Sequence, residues 1–427
     1  MLNFSLQEDY FTFAKKLKQF AAGFNPSVIL DSCNINPQFF IGNYKIIAAF
    51  GGNKIFEPSN YMLEFLNEIY NSKSWYFGVI GYNLKNEIEN LDSKNKRCFG
   101  WNEMCFFSPE TVVTVDYENV VCIYGNNPQE VFKNISETKI EKDYNSNSQI
   151  KIKTEIDKKS YISKVNRIKN EIINGNVYEL NLCLRFLYEN FDFFNPFQFY
   201  NKLTEHSPSP FSGYFAAGKK YVSCASPERF LSKKNRTLIS QPIKGTIARG
   251  KNEKEDISNK NTLKNSIKDR AENVMIVDLV RNDLAKVSVP GSVKVDELFG
   301  VYSYSQVHQM VSTISSELKA EIGLKEIIKA TFPMGSMTGA PKISAMQKIE
   351  YFEDFNRQWY SGSLGYISPW GDFDFNVLIR TAFYDKELNK LAFYSGGAIT
   401  IDSNPIDEYE EIFIKVKAII SLLNGNF

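Results

Sequence analysis

Four apolar positions, Tyr161, Val165, Ile168 and Ile172, recur at i, i+4, i+7 and i+11 and predict the buried face of a helix, with Gly175 placed to end it. The period then changes to two. In VYELNLCLRF, Tyr178, Leu180, Leu182 and Leu184 fall on one side of a strand, and Glu179, Asn181 and Cys183 on the other. A helix through DRAENVMIVDLVRNDL (269–284) has an almost wholly apolar centre, so burial on most sides is expected. Downstream come a glycine turn and helix at GAPKISAMQKIEYFE, and strands at SGSLGYIS, FNVLIRTAFY and KLAFYSGGAIT. A last helix carries Ile412, Val416, Ile419 and Leu423 on its apolar face. Nearer the start, WYFGVIGYNLKNEIENL (75–91) reads as a strand running through a glycine turn into an acidic segment. Helices and antiparallel-looking strands alternate without a Rossmann glycine fingerprint or an internal repeat, which predicts a mixed α/β or α+β fold. The polar Asn/Ser/Lys-rich stretch 141–159 predicts a boundary or surface excursion, separating 1–145 from 146–427.

Composition narrows the class. The chain has 427 residues, 43% of them hydrophobic, and a formal charge of +1, which gives no general attraction to nucleic acid or to an anionic membrane. The 23 tyrosines and 34 phenylalanines are dispersed, as core and sheet residues would be. The opening MLNFSLQEDYFTFAKK carries early acids and no continuous apolar stretch, so no signal peptide is expected, and no run reaches the ~20 residues of a membrane span. Six cysteines without a CxxC pair suit the reduced thiols of a cytoplasmic protein. Two histidines make a histidine-rich zinc site a poor expectation; a hard, oxygen-ligated cation such as magnesium fits better.

Several segments could carry chemistry. In QPIKGTIARG (241–250), Pro242 and Gly245 bracket Lys244 on a constrained turn or strand end, where a lysine can be aimed rather than merely solvated. SPERF (226–230) places Glu228 either as a solvated turn acid or as a general acid whose pKa burial raises. The spacing of Glu228 and Lys244 suits neighbouring strands of a hairpin. Glu272, Asp278 and Asp283 on an apolar helix must be paired, to Arg270 or Arg281, or else bind a metal. Glu408 and Glu411, three apart in EYEEIF, form a second acidic group, either an exposed helix start or half of a cation site. FPMGSMTGAPKISAM (332–346) is a glycine-rich turn into a helix, a plain loop or an anion site, and it is not a Walker A loop. Arg380, inside the apolar VLIRTAF, requires a carboxylate from the protein or from a ligand. Together these features describe a cytoplasmic, magnesium-dependent enzyme for a small anionic substrate, with a positioned lysine and glutamate.

In order from about residue 157 onward, GNVYELNL, SPERFL, QPIKGT, DRAENVMIVDLVRNDL, FPMGSMTGAPK, GYIS, IRTAFY, GGAITIDS and EYEEIF resemble the chorismate-utilising enzymes. That family includes the component I subunits of anthranilate and aminodeoxychorismate synthases and the isochorismate and salicylate synthases. ILDS (29–32) and GYNLKNEIENL (81–91) resemble its N-terminal region. The resemblance implies an α+β fold of two packed, largely antiparallel sheets flanked by helices, with 1–145 and the catalytic 146–427 interleaved. The lysine of PIKGT resembles the aminodeoxychorismate synthases, since anthranilate synthases typically carry alanine there. It implies that Lys244, made neutral by a lowered pKa, attacks C2 of chorismate while Glu228 protonates the departing C4 hydroxyl. Ammonia from a separate glutamine amidotransferase subunit then adds at C4 and expels the lysine. Glu272 and Glu411, with Glu408, would bind magnesium. Arg380, Lys342, the Gly335, Ser336, Thr338 and Gly339 turn, Gly396, Gly397 and Tyr366 would bind substrate. A tryptophan pocket near Leu30, Asp31 and Ser32 is a further implication.

The departures are specific. Glu179 stands where the family usually has glutamine and isochorismate synthases have lysine, which argues against the latter. The family histidine of the SxVxH pattern falls on Gln309, and His308, one position early, is expected to point elsewhere. Ala398 takes the third position of the GAGI turn. Anthranilate synthesis, and a binding protein without turnover, are the alternatives these changes leave open.

Overall fold

Both periodicities become elements in the computed structural model, which describes residues 1–6, 8–35, 44–141, 154–191, 195–305 and 307–423. The helix Lys158–Ile173 starts at Asp157, whose side chain accepts from the Ser160 backbone N–H. It ends at Asn174, before Gly175 at φ +73°. The strand Glu179–Tyr188 follows. Leu180, Leu182 and Leu184 pack with Tyr161, Val165 and Ile168 and with Ile412, Val416 and Ile419 of the last helix, Pro405–Leu422. Tyr178 stays outside the strand, 66% exposed. Of the predicted excursion at 141–159, residues 142–153, and with them the boundary at 145, lie outside the described residues. The acidic segment after Gly81 is the short helix Leu84–Glu89. The helix predicted at 269–284 spans Ile267–Val287; its buried side holds Ile276, Val277 and Leu284, while Val274 is exposed.

Two sheets organise the described residues. One runs Leu2–Ser5, Val120–Tyr124, Thr111–Val115, Ile46–Phe50, Ser27–Asp31, Phe211–Ala217, Lys220–Ser226, Thr381–Asp385, Lys390–Ile399, Glu179–Tyr188 and Gly339–Ala340. The other contains Lys294–Ser303, Val307–Glu317, Thr237–Gln241, Ile243–Ala248, Arg229–Lys234, Phe373–Asn376, Ser363–Ile367, Tyr76–Ile80, Met104–Phe107 and Ile55–Phe56. Pairings between these strands are antiparallel. Phe77, Phe106, Phe107, Phe215, Trp359 and Phe383 share one core, to which both sheets contribute. Each such side chain contributes about 1.5–3 kcal/mol by leaving water. The helix Tyr10–Ala22 covers the outer face of the first sheet near the N-terminus, and Ile267–Val287 lies against Val307–Glu317 and Ile243–Ala248.

FNVLIRTAFY is not one strand. Phe373–Asn376 belongs to the second sheet and Thr381–Asp385 to the first, and the chain crosses between them at 377–380. It crosses in the other direction at Pro227 and Glu228, between Lys220–Ser226 and Arg229–Lys234. The crossings lie side by side. The Val377 N–H donates to the Glu228 carbonyl at 3.0 Å, and the Ala225 N–H to the Arg380 carbonyl at 3.2 Å. Arg380 takes φ +50°, so a backbone turn, not a strand pleat, aims its side chain.

Candidate active site

The placement of Lys244 follows from a fault in a long strand pairing. Thr237–Gln241 and Ile243–Ala248 run in turn along Val307–Glu317, with Ser240 opposite Ile314 and Ile243 opposite Val311. The register then slips, so that Thr246 faces Gln309. Gly245 sits at the slip with φ +90°, and a Cβ there would lie 2.9 Å from Asp269 Oδ1. A bulge of this kind re-aims the neighbouring side chain. Lys244, 8% exposed, lines a cavity of about 140 Å³ with Glu228, Glu272, Arg380, Gly396 and Gly397. Its Nζ lies 3.6 Å from Glu179 Oε1.

Glu228 reaches the cavity from the first crossing. It is 4% exposed, and the Ser336 hydroxyl donates to its Oε1 at 2.6 Å. Burial pushes its carboxyl up to about 7, against the lowering pull of Ser336 and Lys244. A carboxyl that keeps its proton near neutrality suits a general acid rather than a solvated turn. Arg380 enters from the second crossing. No carboxylate of the described residues pairs with its guanidinium. Burial pulls it down to about 10, while Tyr304 and Glu228 oppose that.

The acidic helix divides by partner. Asp278 pairs with Arg281 at 2.6 Å on the surface. Asp283 pairs with Lys342 at 2.5 Å and Lys286 at 3.0 Å, not with the arginines. Glu272, 8% exposed, keeps a buried Oε1 without a hydrogen-bond partner, and burial pushes its carboxyl up to about 7. Lys268 bridges it, at 4.0 Å, to Glu408, at 3.1 Å. Glu408 also accepts from the Ser403 hydroxyl at 2.8 Å. Glu411 pairs with Lys415 at 2.7 Å, which lowers its carboxyl pKa, and Lys415 donates to the Gly396 carbonyl at 2.8 Å. Glu272, Glu408 and Glu411 thus all line the cavity, but no metal-ready group of three His, Cys, Asp or Glu is gathered among the described residues.

Other expected binding residues lie elsewhere. Of the turn at 335–339, Ser336 and Met337 line the cavity, while Gly335, Thr338 and Gly339 do not. The Thr338 carbonyl accepts from the Asn181 N–H at 2.8 Å, and Gly339 pairs with Leu180, so this stretch is an edge of the first sheet. Gly335 packs on Leu279, and Lys342 is turned to Asp283 and the Thr331 carbonyl. The helix Lys342–Phe352 begins after Pro341, which is its N-cap residue rather than part of the first turn. Tyr366 lines a second cavity with Leu30, Asp31, Ser32, Arg229 and Asp374. Gln309 does line the first, its amide 3.4 Å from Thr246 Oγ1. His308 points away, to Ser303 at 2.8 Å and Asp256 at 3.0 Å.

Lys244 departs from expectation in its charge. Burial alone pushes its ammonium down, but Glu179, Glu272 and Glu228 outweigh it, and the net shift is upward. An upward shift is the opposite of the lowered pKa expected of a nucleophilic Lys244. Lys268, Lys415 and Asn181 were not anticipated at the cavity. The signal for the two lysines was present: each stands four residues from an expected glutamate, Lys268 before Glu272 and Lys415 after Glu411.

A family model for chorismate binding enzymes matches residues 25–421. The chain belongs to the chorismate binding enzyme family. Aminodeoxychorismate synthase, chloroplastic, of Arabidopsis thaliana is 37% identical over 369 residues, covering 80% of this chain and 39% of that protein. Aminodeoxychorismate synthase component 1 of Escherichia coli is 34% identical over 365 residues, covering 81% of this chain and 76% of that one. This member of the chorismate binding family therefore spans about two fifths of the plant relative. The crystal structure of anthranilate synthase component I from Streptococcus pneumoniae superposes with a TM-score of 0.78 at 25% identity, covering 90% of this chain and 93% of that one. The cavity described above is thus set in a fold shared with that enzyme. No helix among the described residues is long and apolar enough to cross a membrane.

Proposed function

We propose that the chain aminates chorismate at C4, giving 4-amino-4-deoxychorismate for para-aminobenzoate and folate synthesis. The observation that carries this reading is the buried pairing of a nucleophile with an acid in one cavity: Lys244 on its bulge and Glu228 holding a proton near neutrality. Once its ammonium proton has passed to solvent, Lys244 attacks C2 as an amine while Glu228 protonates the C4 hydroxyl, which leaves as water. Ammonia then adds at C4 and expels the lysine, and the extra proton on the new amine returns to Glu228. Arg380 binds the enolpyruvyl carboxylate, and Gly397, where a Cβ would point at Glu408 and Lys415 of the cavity, permits close approach of the substrate. The names of the Arabidopsis and Escherichia coli relatives support the same reaction. A glutamine amidotransferase subunit is the proposed source of ammonia. Six free thiols favour a cytoplasmic setting.

Magnesium fits the carboxylate face. Glu272 offers a buried oxygen with no hydrogen-bond partner, Glu408 and Glu411 offer further hard donors, and the half-exposed Lys268 can yield its place. When bound, the ion would orient the ring carboxylate and neutralise its charge. Glu272→Gln is expected to raise the magnesium concentration needed for half-maximal activity by roughly tenfold or more, because one charged ligand is lost. An unchanged magnesium titration would remove Glu272 from the metal site.

Anthranilate synthesis is the second reading, favoured by the Streptococcus pneumoniae likeness, and Lys244 weighs against it. Incubation of the chain with chorismate, magnesium and ammonium at alkaline pH, followed by mass spectrometry, separates the two. Aminodeoxychorismate is expected; anthranilate in its place, or the absence of both products, would overturn the proposal.

A further inference from the structure

Glu179 belongs to no group that the proposed reaction uses, yet it is among the most deeply buried charges of the chain, 1% exposed at the head of the strand Glu179–Tyr188. Its Oε1 lies 3.6 Å from Lys244 Nζ, and its Oε2 has no hydrogen-bond partner. Among the described residues it is the one carboxylate within 4.0 Å of that nitrogen. It does not line the cavity but stands behind the lysine. A carboxylate so placed would be a costly lone charge without the ammonium, and the ammonium a costly one without it.

We infer that Glu179 is the positioning counter-ion of Lys244, holding it as a charged, non-nucleophilic ammonium in the resting site. Lys244 is then a latent nucleophile. It reacts only after its proton is surrendered, which the neighbouring carboxylates oppose. The inference rests on the proposed role of Lys244 for its meaning in catalysis, but its physical content, the protonation of one buried amine, is separate. Other charges face Lys244 as well: Glu228 from the first crossing, Arg380 from the second, Lys268, Asp269 and Glu272 from the helix Ile267–Val287, and Glu408, Glu411 and Lys415 from Pro405–Leu422. Glu179 stands out by distance and by having no other partner. The upward net shift of Lys244, with Glu179 the foremost of the carboxylates that cause it, agrees.

The test is the pH dependence of Lys244 carbamylation by cyanate, which adds only to the neutral amine, read by peptide mapping with surface lysines of the same digest as references. Glu179→Gln keeps the shape and removes the charge. It is expected to move the midpoint for Lys244 down by about one to three pH units, the usual effect of one close opposite charge. Glu179→Asp, which keeps the charge, is expected to return it toward the wild-type value. A midpoint unchanged or raised in Glu179→Gln, or a Lys244 that stays unlabelled in that variant up to pH 10, would overturn the inference. A second readout is the covalent adduct with chorismate and magnesium in the absence of ammonia, seen as a gain of chorismate less one water. Its acid limb should shift down in parallel. Absence of the adduct in wild type would sink the nucleophile reading while leaving the cyanate result to judge Glu179 alone.

Discussion

Replacing Lys244 by alanine is expected to cut aminodeoxychorismate formation by roughly three orders of magnitude or more, the scale on which an essential nucleophile fails. A loss of that size could also come from damage to the fold, because the lysine is half of a buried ion pair with Glu179. Removing one partner leaves the other charged and alone, at a cost of about 3 kcal/mol. The two effects can be separated. Lys244→Ala combined with Glu179→Gln removes both charges and should recover most of the lost stability in a denaturant titration. Activity should remain absent in the double variant. Turnover near the wild-type level in either variant would remove Lys244 from the chemistry.

Glu228→Gln is expected to make the protein more stable and far less active. The Glu228 carboxyl is displaced by burial from 4.5 to about 7 in the folded state. Between those pH values the folded chain binds more protons than the unfolded chain, so this group lowers stability as pH rises and its full penalty stands above about pH 7. A displacement of that size corresponds to on the order of 3 kcal/mol. Glutamine carries no such penalty. The variant should therefore gain that stability at pH 8 and almost none at pH 4, as measured by denaturant unfolding at both values. Amination should fall by about 10²–10⁴-fold, the usual contribution of a positioned general acid. Full activity in Glu228→Gln would assign the proton to another group, and an equal stability gain at both pH values would show that burial does not raise the carboxyl.

The helices Lys158–Ile173, Ile267–Val287, Lys342–Phe352 and Pro405–Leu422 and the strand Glu179–Tyr188 were legible as patterns, but sheet membership and the crossing at 377–380 were not. Tyr161, Val165, Ile168 and the alternating leucines of 180–184 announce a helix and a strand because each period is local. FNVLIRTAFY reads as one strand because its apolar run is continuous, whereas Arg380 at φ +50° breaks it between two sheets. Glu228, Lys244, Glu272 and Arg380 stood out as polar groups in apolar or constrained settings, and all four meet at one cavity. Lys342 misled because sequence shows a glycine turn feeding a helix, not the direction of a side chain that Asp283 captures. The charge of Lys244 was out of reach for a related reason. Burial favours the neutral amine, and only the convergence of Glu179, Glu272 and Glu228 from three distant segments reverses the sign.

The order of strands in the two sheets has a consequence for dividing the molecule. Phe211–Ala217 is flanked on one side by Ser27–Asp31, and Ser363–Ile367 by Tyr76–Ile80. A fragment without the first 140 residues would keep every side chain of the cavity, yet it would bare one apolar backbone edge on each sheet. Open edges of that kind recruit other chains. The N-terminal segment, which supplies none of the groups around Lys244, thus acts as a selvedge, the woven border that keeps both sheets from unravelling into their neighbours.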